Sequence, residues 1–132
     1  EQYRINLKLN PNDVETYGAL AIALTTQGLL EEAIACYEKA LALDPGYVDA
    51  HFNLGSAYAN SGRLDKAIEQ FRAAVELNPD NAFYHNVLGI AYGQKGLFDK
   101  AVEQFNEAVR LAPSETAYRE NLEKAQGLRS KQ

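Results

Sequence analysis

The sequence has no methionine, no tryptophan and only one cysteine, Cys36, in its 132 residues. A single cysteine excludes a disulfide within the chain, and it leaves the cellular compartment undecided. Long apolar runs are also missing: none approaches the roughly twenty residues of a membrane-spanning helix, and no signal peptide is recognisable. We therefore expect no membrane span, and the cytoplasm is slightly favoured as the location.

An excess of acidic residues argues against a nucleic-acid partner. The chain has 13 Lys and Arg against 18 Asp and Glu, a formal net charge of −5, whereas nucleic-acid binding needs a clustered basic face. The charge also changes along the chain, from −4 in residues 14–47 (five acidic, one basic) to +2 in residues 116–132 (two acidic, four basic). This gradient fits ordinary solvated helix surface, or an arrangement that orients a charged partner lengthwise.

The segment from Val48 to Asn81, thirty-four residues long, recurs in register on both sides. Shifted forward, its apolar and small positions match Leu88, Gly89, Tyr92, Gly96, Ala101, Phe105, Ala108 and Pro113. Shifted back, they match Leu20, Ala21, Leu24, Gly28, Ala33, Tyr37, Ala40 and Pro45. Self-similarity at a fixed period is typical of a stack of repeated structural units.

Two motifs within this segment resemble the tetratricopeptide repeat. The first is His51-x-x-Leu54-Gly55-x-x-Tyr58, and the second is Ala67-x-x-x-Phe71 followed by Pro79. The tryptophan that usually opens the repeat is replaced by Tyr17, His51 and His85 in the three copies. The resemblance implies an all-α fold, a right-handed α-solenoid of antiparallel helix pairs, and a role as a protein-protein interaction scaffold.

The repeat period predicts how the chain is organised. Residues 1–13 hold the closing helix of a truncated repeat, residues 14–47, 48–81 and 82–115 are full repeats, and residues 116–132 form a capping helix and tail. Within the repeats, the spacing predicts opening helices at 14–26, 48–60 and 82–94 and closing helices at 31–43, 65–77 and 99–111. All belong to one continuous solenoid, since a lone helical hairpin cannot bury enough apolar surface to fold.

The first predicted helix has no opening helix beside it. Its apolar residues Tyr3, Leu7 and Leu9 would be exposed, and this edge is a candidate for self-association. Missing sequence or a bound helix could cover the edge instead, or the helix could be frayed. The start at Glu1, partway through a repeat, suggests a fragment of a longer protein.

No constellation of side chains indicates catalysis, a metal site or a cofactor. His51 and His85 occupy the slot of Tyr17, which predicts packing residues rather than zinc ligands. Cys36 lies in the middle of a predicted helix, where a buried small hydrophobic residue is the simplest interpretation. We therefore expect a protein that is not an enzyme and that needs no cofactor.

The resemblance implies that the opening helices line a concave groove where a protein or peptide partner binds. Helical spacing places these groove residues on that face: Glu15, Ile22, Asp49, Phe52, Asn53, Ser56, Asn60, Phe83, Asn86, Val87 and Ile90. Two modes of peptide binding known in the family do not match the residues of this sequence. Its asparagine ladder is interrupted at Ala19 and Val87, and its carboxylate clamp would need basic residues where Gly18, Phe83 and Val87 stand.

Two other functions stay open at this point. The chain could be a self-assembly module that forms a homo-oligomer through its N-terminal edge. It could also be the repeat region of a larger enzyme, such as a glycosyltransferase, a kinase or an isomerase. A molecular mass that rises with concentration would distinguish a self-assembly module from a scaffold. The sequence on either side of this chain would show whether it is part of a larger enzyme.

Overall fold

The computed structural model describes residues 2–132, apart from the side chains of Leu7 and Leu9. These residues form eight helices and no strands: α1 Gln2–Leu9, α2 Val14–Thr26, α3 Leu30–Leu43, α4 Val48–Asn60, α5 Leu64–Leu77, α6 Ala82–Gln94, α7 Phe98–Leu111 and α8 Thr116–Arg129. Six of the helices form three pairs, and each pair packs on the next: α2 with α3, α4 with α5, and α6 with α7. The fold is a right-handed α-solenoid.

One core runs through the whole stack, because the same slots are buried in every repeat. The slot of Ala67 is fully buried in all three repeats, and the aromatic slot of Phe71 is almost fully buried. The buried residues at the repeated positions are Leu20, Leu54 and Leu88, Ala33, Ala67 and Ala101, Ile34, Ile68 and Val102, and Tyr37, Phe71 and Phe105. The apolar pattern of the sequence therefore predicts the core correctly.

A glycine ends each opening helix of the three pairs. Gly28, Gly62 and Gly96 have φ angles of 80°, 79° and 81°, a left-handed conformation that glycine adopts without steric cost. In the first turn, the backbone N–H of Leu29 donates to the Leu24 carbonyl (2.9 Å), and that of Gly28 donates to Thr25 (3.0 Å). This is the Schellman pattern, which satisfies carbonyls that the end of a helix leaves free. The chain can thus reverse direction within three residues.

The closing helices begin one residue earlier than the spacing predicts, at Leu30, Leu64 and Phe98. A carboxylate near the start of a helix, such as that of Asp65, is expected to accept backbone N–H groups. The N-cap residues of the closing helices nevertheless make no side-chain cap. Asp65 forms an ion pair with Lys95 of the next turn instead. The closing helices end where the sequence predicts, because the residues before the prolines, such as Asn78, are extended.

His51 and His85 connect elements of the stack through hydrogen bonds. His85 is buried, with Nδ1 at 2.8 Å from Gln104 Oε1 and Nε2 at 2.7 Å from the carbonyl oxygen of Pro79. His51 repeats the arrangement at 2.8 Å and 2.7 Å with the equivalent glutamine and proline. A neutral imidazole satisfies both partners when the glutamine amide turns its NH2 group toward Nδ1. The position of His51 and His85, predicted to be a packing position, therefore also forms hydrogen bonds to neighbouring elements.

Candidate functional site

The groove is the surface formed by the opening helices α2, α4, α6 and α8. Among the predicted residues, Ile22, Phe83 and Ile90 are 52%, 50% and 40% exposed, although they are apolar. Glu15, Asp49 and Asn60 are also exposed, whereas Phe52, Asn53, Ser56 and Val87 are half-buried and Asn86 is buried. The predicted set therefore includes both accessible side chains and side chains that the protein itself covers.

Phe52 is the centre of an aromatic cluster in the middle of the groove. Its ring stacks on Tyr84 at a centroid distance of 5.0 Å and an interplanar angle of 20°. The rings of Phe83 and Phe71 lie 5.5 Å and 5.7 Å away. Since Phe71 belongs to the core, Phe52 connects the groove to the core. Of Phe52 and Phe83, only Phe83 has an exposed ring.

The side-chain amide of Asn86 is hydrogen-bonded within the protein. Its Oδ1 accepts a hydrogen bond of 2.9 Å from Nδ2 of Asn121 on the capping helix α8. A buried amide needs such a partner. Asn53 and Asn121 stand at the two ladder positions that do hold asparagine: Asn53 is half-buried and lines a cavity, while Asn121 is bonded to Asn86.

A small cavity of about 220 Å³ lies between α2 and α4. We call it the N-terminal cavity. Its lining includes four residues expected on the groove face and four others: Ile22, Asp49, Phe52 and Asn53, with Gly18, Tyr37, Tyr47 and Ala50. Tyr47 is not recognisable from the sequence as a site residue, because it precedes α4 and belongs to no helical face.

A larger cavity of about 450 Å³ lies between α6, α7 and α8. We call it the C-terminal cavity. Its walls are mainly apolar, with Lys124 as the only charged residue: Ile90, Gly93, Gln94, Phe98, Phe105, Asn121, Lys124, Ala125 and Leu128. Of these residues, only Ile90 is predicted from the sequence to bind a partner. The thirty-four-residue register from Ile90 to Lys124 is the signal that would have extended the groove onto α8.

Two phenols near the N-terminal cavity have pKa values raised above the ordinary value of a tyrosine. Burial raises the pKa of the Tyr47 hydroxyl, and the carboxylates of Asp49 and Glu15 raise it further. Burial and the Asp49 carboxylate raise the pKa of Tyr84 in the same way. Asp49 therefore lies close to both tyrosines, and this end of the groove combines negative charge with aromatic surface.

The predicted self-association edge is only partly described. Tyr3 and Ile5 on α1 are 39% and 42% exposed, and Arg4 on the same helix pairs with Glu32 at 3.4 Å. The side chains of Leu7 and Leu9, which complete the predicted edge, lie outside the described residues. The edge therefore stays a prediction.

In residues 2–132, no three His, Cys, Asp or Glu side chains lie together in a way that could hold a metal ion. None of the helices in this range is both long and apolar enough to cross a membrane. What the groove presents is apolar surface, amide groups, and carboxylates at one end.

Solved structures with the same architecture include two of MamA. The chain is 30% identical to each, with TM-scores of 0.88 and 0.87; it matches over 97% and 98% of its own length and 77% and 72% of theirs. A third is the first TPR of Spaghetti (RPAP3), solved bound to the HSP90 peptide SRMEEVD. It has a TM-score of 0.81 at 22% identity, over 89% of this chain and 93% of that one, and this likeness concerns the fold alone.

Comparison with sequences identifies the family. No curated protein matches the chain. The family model described as Tetratricopeptide repeat matches it twice, at residues 19–82 and 54–116, which together cover most of the chain. The match agrees with the helix pairs, the glycine turns and the solved structures. The chain belongs to the tetratricopeptide repeat family.

Proposed function

We propose that the protein is a scaffold whose groove binds a segment of a partner protein, either an extended peptide or an amphipathic helix. The observation that carries this proposal is the exposure of Ile22, Phe83 and Ile90 on helices whose core slots are buried. Burying such side chains against a partner is the main favourable term in association. Phe83 and Ile90 lie about two helical turns apart, so one segment can contact both.

The fold and its relatives support the proposal. Tetratricopeptide repeats are generally a protein-interaction fold, and a peptide occupies the repeat of RPAP3 in its solved structure. The two cavities at either end of the groove offer places for side chains of a bound segment. A partner of this kind buries apolar groups in pockets and satisfies its polar groups at the rim.

The proposal is tested by selecting a phage-displayed library of random peptides on the wild-type chain. The groove variant combines Phe83→Ala with Ile90→Ala and removes exposed side chains without opening the core. The control combines Leu77→Ala with Leu97→Ala, which are 46% and 38% exposed but lie outside the groove. Selected peptides should bind the control as they bind the wild type and bind the groove variant about tenfold more weakly.

Phe52 is unsuited to this test because its ring contacts the core residue Phe71. Truncation of Phe52 would lower stability as well as binding. Circular dichroism melts of the two double variants, which should resemble the wild type, separate a binding effect from a folding effect. Equal binding of the selected peptides to all three proteins would place the site outside the groove.

Self-association through α1 is a second candidate, supported by the exposed apolar residues Tyr3 and Ile5. Light scattering on a dilution series tests it directly. Self-association requires a mass that rises with concentration and returns to the monomer value in a Tyr3→Glu, Ile5→Glu variant. A monomer at every concentration would reject it and leave the groove as the functional surface.

A further inference from the structure

Two residues that depart from the repeat pattern, Gly18 and Tyr47, line the N-terminal cavity. Gly18 stands in the slot that Phe52 fills in the next repeat. A glycine inside a helix costs about 1 kcal/mol relative to alanine, and at this position it leaves room for Tyr47 to pack against α2. The hydroxyl oxygen of Tyr47 lies 3.1 Å from the Cβ position of Gly18, so Tyr47 itself occupies the space next to the glycine.

Tyr47 is the second departure. It holds the N-cap position of α4, where the corresponding residues Asp13 and Asn81 bond the backbone of their helices. Tyr47 makes no such cap, and its ring lines the N-terminal cavity. Local rules are broken most often at functional sites, because a site imposes requirements that the fold does not.

The chemistry of the cavity is anionic and aromatic. Its lining includes three aromatic residues, Tyr37, Tyr47 and Phe52, together with Asp49. Glu15 lies close enough to act on the Tyr47 hydroxyl. None of the ion pairs among residues 2–132 involves Glu15 or Asp49. A cation is attracted both by carboxylates and by the faces of aromatic rings.

We infer that the N-terminal cavity receives the side chain of a lysine or arginine from the segment bound in the groove. This inference rests on the proposed function, because it assumes a peptide in the groove. The position of both carboxylates in the first turns of α2 and α4 also suits the helix dipole. The helix dipole explains why carboxylates stand at positions 15 and 49, but it does not explain the cavity beside them.

The opposite end of the groove fixes the orientation of the segment. The C-terminal cavity is mainly apolar and carries Lys124, so it suits an apolar side chain and repels a cation. Successive opening helices lie roughly 10 Å apart, which places the two cavities roughly 20 Å from each other. That span corresponds to about six residues of an extended peptide or about thirteen residues of a helix. The spacing between the cationic and apolar residues therefore distinguishes the two kinds of segment.

The same random-peptide library tests the inference. Selection on the wild-type chain should enrich peptides with a lysine or arginine at a constant distance from an apolar residue. Selection on Glu15→Gln with Asp49→Asn should lose the basic preference and keep the apolar one. A selected peptide should bind this variant about tenfold more weakly than the wild type. The control, Glu69→Gln with Glu103→Gln, removes the same charge from closing helices and should bind the peptide normally.

A second variant, Gly18→Phe, places a ring in the slot that Phe52 holds in the next repeat, where it must displace Tyr47 and block the cavity, and it should abolish the basic preference with both carboxylates in place. A basic preference that survives both variants, or one that is absent from the wild-type selection, would overturn the inference while leaving groove binding intact. Peptides that bind the Phe83→Ala, Ile90→Ala variant unchanged, or a library that yields no binders, would overturn the proposed function and this inference with it.

Discussion

Gly55 on α4 lies directly against the ring of Phe71 on α5. A Cβ atom added to Gly55 would lie 2.6 Å from Cε1 of that ring, and the relationship recurs between Gly89 and Phe105, also at 2.6 Å. A glycine here, with the small residue Ala67 on the facing helix, is the pattern expected where two helix backbones cross closely. The nearest atoms belong to the phenylalanine instead, so the ring is what requires a glycine.

Replacement of Gly55 by leucine should therefore destabilise the protein through overpacking. We expect a loss of about 1–3 kcal/mol in the free energy of unfolding, measured by urea denaturation. Gly93 on α6 provides the matched control, because nothing lies within 4 Å of its Cβ position. Gly93→Ala should be neutral or stabilising by up to about 1 kcal/mol. A Gly55→Leu protein as stable as the wild type would show that the crossing can expand.

The polar link between His85 and Gln104 should be measurable as a coupling. His85→Phe keeps a ring in the slot but removes both hydrogen bonds, and Gln104→Leu removes one from the other side. A double-mutant cycle should give an interaction free energy of about 0.5–1.5 kcal/mol, the usual net value of a hydrogen bond. Additive effects of the two substitutions would show that His85 acts through packing alone.

Cys36 should react slowly with thiol reagents. Burial raises the pKa of its thiol, while the charge of Arg4 lowers it. A raised pKa means less thiolate at a given pH, and thiolate is the reactive form. Alkylation by iodoacetamide near pH 8 should be slower in the folded chain than in urea, and slower still in Arg4→Ala. A folded rate equal to the rate in urea would contradict this account of the thiol.

Much of the fold follows from the period of the sequence. The prolines and the turn glycines mark where helices end, because proline and left-handed glycine act on the backbone locally. The core slots recur with the same period, so each buried position is predicted three times. The one-residue error at Leu30, Leu64 and Phe98 arises because these helices begin without a capping side chain that a sequence could reveal.

The groove is less accessible to sequence reasoning, because it depends on contacts between repeats. Helical spacing places Asn86 on the groove face. Only the position of α8 shows that the side chain of Asn86 is already hydrogen-bonded to Asn121. In the same way, the stacking of Phe52 on Tyr84 depends on how α4 and α6 are rotated relative to each other. The cavity beside Gly18 depends on a side chain from a loop, Tyr47, which no helical pattern includes.

The central claim, that the groove binds a segment of a partner, is tested most directly by isothermal titration calorimetry. A synthetic peptide chosen by library selection is titrated into the wild type, into Phe83→Ala, Ile90→Ala, and into Leu77→Ala, Leu97→Ala. We predict a Kd about tenfold higher for the first double variant only. Equal affinities for all three proteins would contradict the assignment of the groove as the binding site.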